Sequence, residues 1–180
     1  MFLKELMLIR DLGIRRFVEL CLSYAPKYVF CDCPSSSTGK HHPVDELSGD
    51  GCIIHTRRVV KMVLLLVDGM ENFYQRDEAI AAAIIHDLRK QGLEKTGKTV
   101  PNHPELAASL VYEVATLQPG VISDDVVDSL YNAVGYHYGR WGSGDWKCSD
   151  FNTDMDRLSK VVHVADYLAS DKVMGPRLAV

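Results

Sequence analysis

The sequence predicts a compact all-α domain, and three observations carry that expectation. Apolar residues recur three and four apart along most of the chain, which is the repeat of one helix face. No β-rich stretch of comparable strength interrupts them. The 180 residues, 47% hydrophobic and 24% charged, suit one soluble domain around one core, spanning 1–180.

Each element has its own signal. Residues 3–24 read as an amphipathic N-terminal helix with Leu6, Ile9, Phe17, Leu20 and Tyr24 inward. Residues 25–54 form a lead-in rich in Pro, Ser and Gly and are mostly loop. A helix begins near His55, with Val59, Met62, Val63 and Leu66 on one face. A second runs over 76–90, where Ala79, Ala83 and Asp87 stack four apart. Gly92, Gly97 and Pro101 mark the next loop. A helix over 103–117 turns Leu106, Leu110, Val114 and Leu117 inward. Ser123 or Asp124 caps a helix over 125–138, whose face carries Leu130, Val134 and His137. Residues 139–153 hold three glycines and two tryptophans and read as a loop. The last helix covers 153–171, with Leu158, Val162, Ala165 and Ala169 as its core face, so the helices that carry the chemistry span 55–172.

Charge and cysteine usage narrow the function classes. A net charge of -4 argues against broad nucleic-acid or membrane-surface binding, which draws on a basic excess. A local patch from Lys90, Lys95, Lys98, Arg140 and Lys147 stays open. Five cysteines without framework spacing predict free thiols in a reducing cytoplasm. Cys31 and Cys33, followed by His41 and His42, match no common structural zinc spacing. The N-terminal apolar pattern is interrupted by Lys4, Glu5, Arg10 and Asp11, unlike a secretory leader. No run reaches the roughly 20 apolar residues of a membrane span.

The chemistry concentrates in six residues: His55, the dipeptide His86-Asp87, His103, His137 and Asp166. A single helical histidine is usually a surface or packed residue. Asp166, between Ala165 and Tyr167, is harder to dismiss, because a carboxylate on an apolar face is costly unless paired or bound to a cation. His86-Asp87 ends an almost uninterrupted apolar run and raises the same question. Neighbouring helical residues project about 100° apart, so both reach one ion only where the helix end points at it. A mixed His/Asp set suits one or two divalent ions of Mn, Fe, Ni, Co or Zn, and suits Mg less well. Ser37-Thr38-Gly39-Lys40 lacks the order of a phosphate-binding loop, and no nucleophile elbow is present.

The order His, His-Asp, Asp resembles the HD-domain superfamily of metal-dependent phosphohydrolases, over roughly 41–172. Ser37 to Pro43, with Gly51 and His55-Thr56 after it, is similar to the lead into the first histidine of small HD proteins. Ile85 to Lys90 is similar to the family's HD segment, with its lysine three residues after the aspartate. Asn102-His103-Pro104 and Val164 to Ser170 resemble later family segments. The resemblance implies an HD-domain-like helical bundle. It implies His55, His86, Asp87 and Asp166 as ligands of one metal, with Asp87 bridging to a second. His103 and His137 correspond to the extra histidines of two-metal members. Only one histidine stands at 135–141, where some relatives have a pair.

The expected reaction is cleavage of a small-molecule phosphate ester, a nucleotide by resemblance, by a metal-activated water. Asp87 and Lys90 are the expected catalytic residues, Lys90 as the cation facing the phosphoryl oxygens. The bland reading of Lys90 is a solvated lysine at a helix C-terminus. Lys40, Arg140 and Trp141 are expected to bind substrate, Arg140 through phosphate and Trp141 by stacking. The alternatives are a non-catalytic nucleotide- or partner-binding module with a structural metal, a purely structural domain, and a two-iron oxygenase.

Overall fold

The computed structural model describes residues 1–178. Among the described residues there are seven α-helices and no strand. They are α1 (Leu3–Leu6), α2 (Leu12–Tyr24), α3 (Gly51–Asp68), α4 (Arg76–Ile85), α5 (His103–Leu117), α6 (Asp124–Gly135) and α7 (Arg157–Ser170). Short 3-10 turns lie between them, including Val44–Leu47 before α3 and Tyr136–Trp141 after α6.

The bundle is built around α4. All seven residues from Ala79 to Ile85 are fully buried, as expected of a helix that is apolar on every side. Its alanines let α2, α3, α6 and α7 close around it. The other two main helix pairings are α3 with α7 and α5 with α6. Phe2, Ile9, Phe17 and Val18 from the N-terminal segment complete the same core. Tyr24 and Leu117 lie off it and are exposed, because each sits at the last turn of its helix. No helix among the described residues is long and apolar enough to cross a membrane.

Several boundaries differ from the sequence expectation. The expected helix over 3–24 is two helices. Asp11 breaks it by accepting a hydrogen bond from the Ile14 amide as the cap of α2. The amides of Arg10 and Asp11 both donate to Asp77 Oδ2 at 2.7 Å, and Arg76 donates to the carbonyl of Leu8. The bend is thereby clasped to the start of α4. The helix beginning near His55 starts at Gly51 instead, which puts His55 in its second turn. A Cβ on Gly51 would stand 1.9 Å from the Glu46 carbonyl, so only glycine lets the Val44–Leu47 turn lie on the head of α3.

The helix over 76–90 stops at Ile85. The His86 amide still reaches Ala82 four residues back, but Leu88, Lys90 and Gly92 reach only three back, to Ile85, Asp87 and Arg89. This tightening is 3-10 geometry. It places His86 and Asp87 on a helix end, where two adjacent side chains converge. The helix expected over 125–138 ends at Gly135, so His137 lies in the Tyr136–Trp141 turn. The last helix starts at Arg157, where Asp156 caps it by accepting from the Ser159 amide at 2.7 Å.

Candidate metal centre

Five elements bring the six residues together. His55 comes from α3, His86-Asp87 from the turn after α4, His103 from the head of α5, His137 from the Tyr136–Trp141 turn and Asp166 from α7. Asp87 stands in the middle. Its Oδ2 lies 3.3 Å from His86 Nε2 and 4.0 Å from His55 Nε2. Its Oδ1 lies 3.5 Å from His103 Nε2 and 3.7 Å from His137 Nε2. Asp166 Oδ1 stands 2.8 Å from His55 Nε2 and 3.8 Å from His86 Nε2.

The backbone sets the histidine tautomers. The Nδ1–H groups of His86, His103 and His137 donate to the carbonyls of Ala83, Val100 and Val134 at 2.7, 2.8 and 2.7 Å. Each carbonyl is three residues upstream, so the local helical turn itself locks the ring. Nε2 is then the lone-pair nitrogen in the neutral ring. All three lone pairs face Asp87. Those of His103 and His137 meet at 3.3 Å, where they repel unless a proton or cation lies between them. His86 Nε2 and Asp87 Oδ1 are buried with no hydrogen-bond partner among the described residues. Orphaned imidazole and carboxylate atoms aimed at one point fit a divalent cation.

Charge inside the cluster follows from burial and partners. Burial drives His103 down to about 4 and His137 down to about 3. Both therefore stay neutral and ready to ligate. His55 is the opposite case. Burial works against its charge, but the hydrogen bond to Asp166 and the negative charge of Glu46 overcome it and raise its pKa to about 9. Burial favours protonation of Asp87, yet the charge of Lys90 holds it well below the usual carboxylate range. Lys90 is itself buried and donates to Asp87 Oδ2 at 2.5 Å. Burial works against its charge too, but that carboxylate holds its pKa above the usual lysine value. The solvated-lysine reading of Lys90 is therefore overturned.

A supporting residue was missed at sequence level. Glu46, fully buried in the Val44–Leu47 turn, puts Oε2 3.3 Å from His55 Nδ1. The approach is a charge contact and not a well-aligned hydrogen bond. It favours a proton on Nδ1 and so leaves His55 Nε2 free for the centre. Glu46 in turn accepts from His42 Nδ1 at 2.8 Å and Arg58 Nη1 at 2.6 Å, and Arg58 also holds Asp45. Burial disfavours the Glu46 charge, but these donors keep it well below its usual pKa. His41 is exposed.

The remaining expectations divide. Arg140 and Trp141 sit on the Tyr136–Trp141 turn beside the centre, both exposed. Lys40 is exposed in the loop before the Val44–Leu47 turn, and among the described residues no hydrogen bond or ion pair ties its side chain to the six. Cys31 is exposed and Cys33 buried, and all five cysteines are free.

A family model described as the HD domain matches residues 52–171. No curated protein and no solved structure matches the chain.

Proposed function

The chain belongs to the HD-domain family, and from that premise we propose that it hydrolyses phosphate esters with divalent metal, with nucleotides as the substrate class. One observation carries the reading: the other five side chains gather around Asp87, with imidazole and carboxylate lone pairs left buried and unpartnered among the described residues. In this reading His55, His86, Asp87 and Asp166 hold one ion, and Asp87 with His103 and His137 holds a second. Divalent ions held there would supply a water of lowered pKa and would polarise the phosphoryl oxygens.

The chain's own residues do the rest. Lys90, kept charged by Asp87, offsets negative charge growing on the phosphoryl oxygens. Glu46 holds the His55 ring in the ligating tautomer. Tyr138, edge-on to His103 at 4.8 Å between ring centres, screens one flank from water. Arg140 stands at the mouth as a donor for a phosphate oxygen.

Elemental analysis of the purified chain tests this, paired with turnover of a generic phosphomonoester and phosphodiester in Mn²⁺. About two metals per chain with turnover of either ester supports the full set. About one metal with monoester cleavage alone assigns His103 and His137 to substrate contact. No metal and no turnover after reconstitution sinks the proposal and favours a non-catalytic binding module.

A further inference from the structure

A cleft next to the centre takes no part in holding the metals. Trp141 stacks on Tyr167 of α7, with ring centres 5.9 Å apart and planes within 8°. Their exposures, 49% and 57%, are high for large aromatic side chains. Phe151 faces His163 at 5.9 Å, and the Arg140 guanidinium carbon lies 4.7 Å from the Trp141 ring centre. These five residues line most of a cleft of about 310 Å³. None belongs to the hydrophobic core, so packing alone does not account for them.

The cleft and the centre share a wall. His163 donates from Nδ1 to the His137 carbonyl at 2.8 Å. Tyr138 touches the rings of both His103 and Trp141. Gly139 makes this closeness possible. Its φ of +56° suits glycine, and a Cβ there would stand 2.4 Å from His163 Cε1. With Nδ1 carrying the proton, His163 Nε2 is an acceptor.

We propose that this cleft binds the base of a nucleotide whose phosphate ester lies at Asp87. Exposed aromatic faces stack any nucleobase, and an imidazole acceptor takes an N–H from the base edge. An aliphatic ligand would gain nothing from the guanidinium or the imidazole. Trp141 and Tyr167 already contact each other, so the base adds to the open face of the pair and does not insert between them. The net charge of -4 favours a single small nucleotide over a polymer. The phosphate end rests on the hydrolase reading of the centre, while the base end rests on the cleft.

The test uses the full chain with Trp141→Ala and Tyr167→Ala, two exposed positions that leave the core intact. Calorimetric titration with adenosine and uridine reads the cleft without any phosphate. Steady-state turnover of a nucleoside 5′-monophosphate against ribose 5-phosphate, in Mn²⁺, reads both ends together. Nucleosides are expected to bind, and each substitution should weaken them about tenfold or more. The kcat/KM preference for nucleotide over ribose 5-phosphate should fall by a similar factor, mainly through KM. Nucleoside binding that persists while no ester is turned over would refute the hydrolase reading and uphold the cleft. Equal turnover of both esters, with no nucleoside binding, would refute the cleft and uphold the hydrolase.

Discussion

Asp87 offers one oxygen to Lys90 and His86 and the other to His103 and His137, so its replacement bears on stability and on the proposed metal centre at once. Asp87→Ala should abolish metal binding and turnover while helix content by circular dichroism stays near wild type. It also leaves the Lys90 ammonium buried without a counter-charge, which costs about 3–5 kcal/mol in urea unfolding. Adding Lys90→Met should recover most of that stability and none of the metal. Persistence of full activity in Asp87→Ala would remove Asp87 from the centre. Glu46→Gln keeps the shape of the side chain and loses the charge facing His55. It should weaken metal binding about 10- to 100-fold by calorimetry, and unchanged affinity would reduce Glu46 to a packing role. The two residues also differ in how readable they were. Asp87 stood out because an all-apolar run led into it. Glu46 sits in a four-residue turn inside a polar loop, beside an exposed Asp45 of the same charge, and nothing local distinguishes the buried carboxylate from the solvated one.

The helices themselves were legible from spacing, and their ends were not. The faces of α3, α6 and α7 follow the three-and-four repeat, with Val59, Leu130, Leu158 and Ala165 buried as the pattern requires. The break at Asp11 depends on Asp77, which is 66 residues away in sequence and invisible to any local window. The stop at Ile85 depends on a switch in hydrogen-bond spacing that the side chains do not announce. Two predictions belong at this scale. Asp156→Ala removes the cap of α7, the helix that carries Asp166, and should cost about 1 kcal/mol by chemical denaturation. Gly139→Ala faces both strained backbone and the His163 ring, whereas Gly144→Ala, also at φ +56°, has no atom within 4 Å of its added carbon. The first should destabilise clearly more than the second, with backbone strain alone costing each about 1–3 kcal/mol. Equal losses would mean that the turn does not depend on its contact with His163.

Across the whole molecule the buried histidines set opposing pH dependences. His55 keeps its proton to about pH 9 in the folded chain, against 6.5 ordinarily. Its stabilising effect is whole below pH 6.5 and is lost as the pH rises toward 9. His103 and His137 resist protonation down to about 4 and 3. Their effect is whole above 6.5 and is lost as the pH falls toward those values. The metal-free chain should therefore be most stable near pH 6.5, measured as urea midpoints in chelator between pH 4 and 9. Excess Mn²⁺ should flatten the alkaline side, because a ligating His55 has already released its Nε2 proton. Stability that climbs steadily to pH 9 in chelator would contradict the charged His55. The family match begins at Cys52, but the material that makes the fold whole begins far earlier. Phe2, Ile9 and Phe17 fill the common core, and Glu46 braces the first histidine from outside the matched stretch. All six residues of the candidate centre would survive excision of 52–171, yet the six are not a portable cassette. A designer transplanting that segment would carry the claws of the site and leave behind the hand that holds them open.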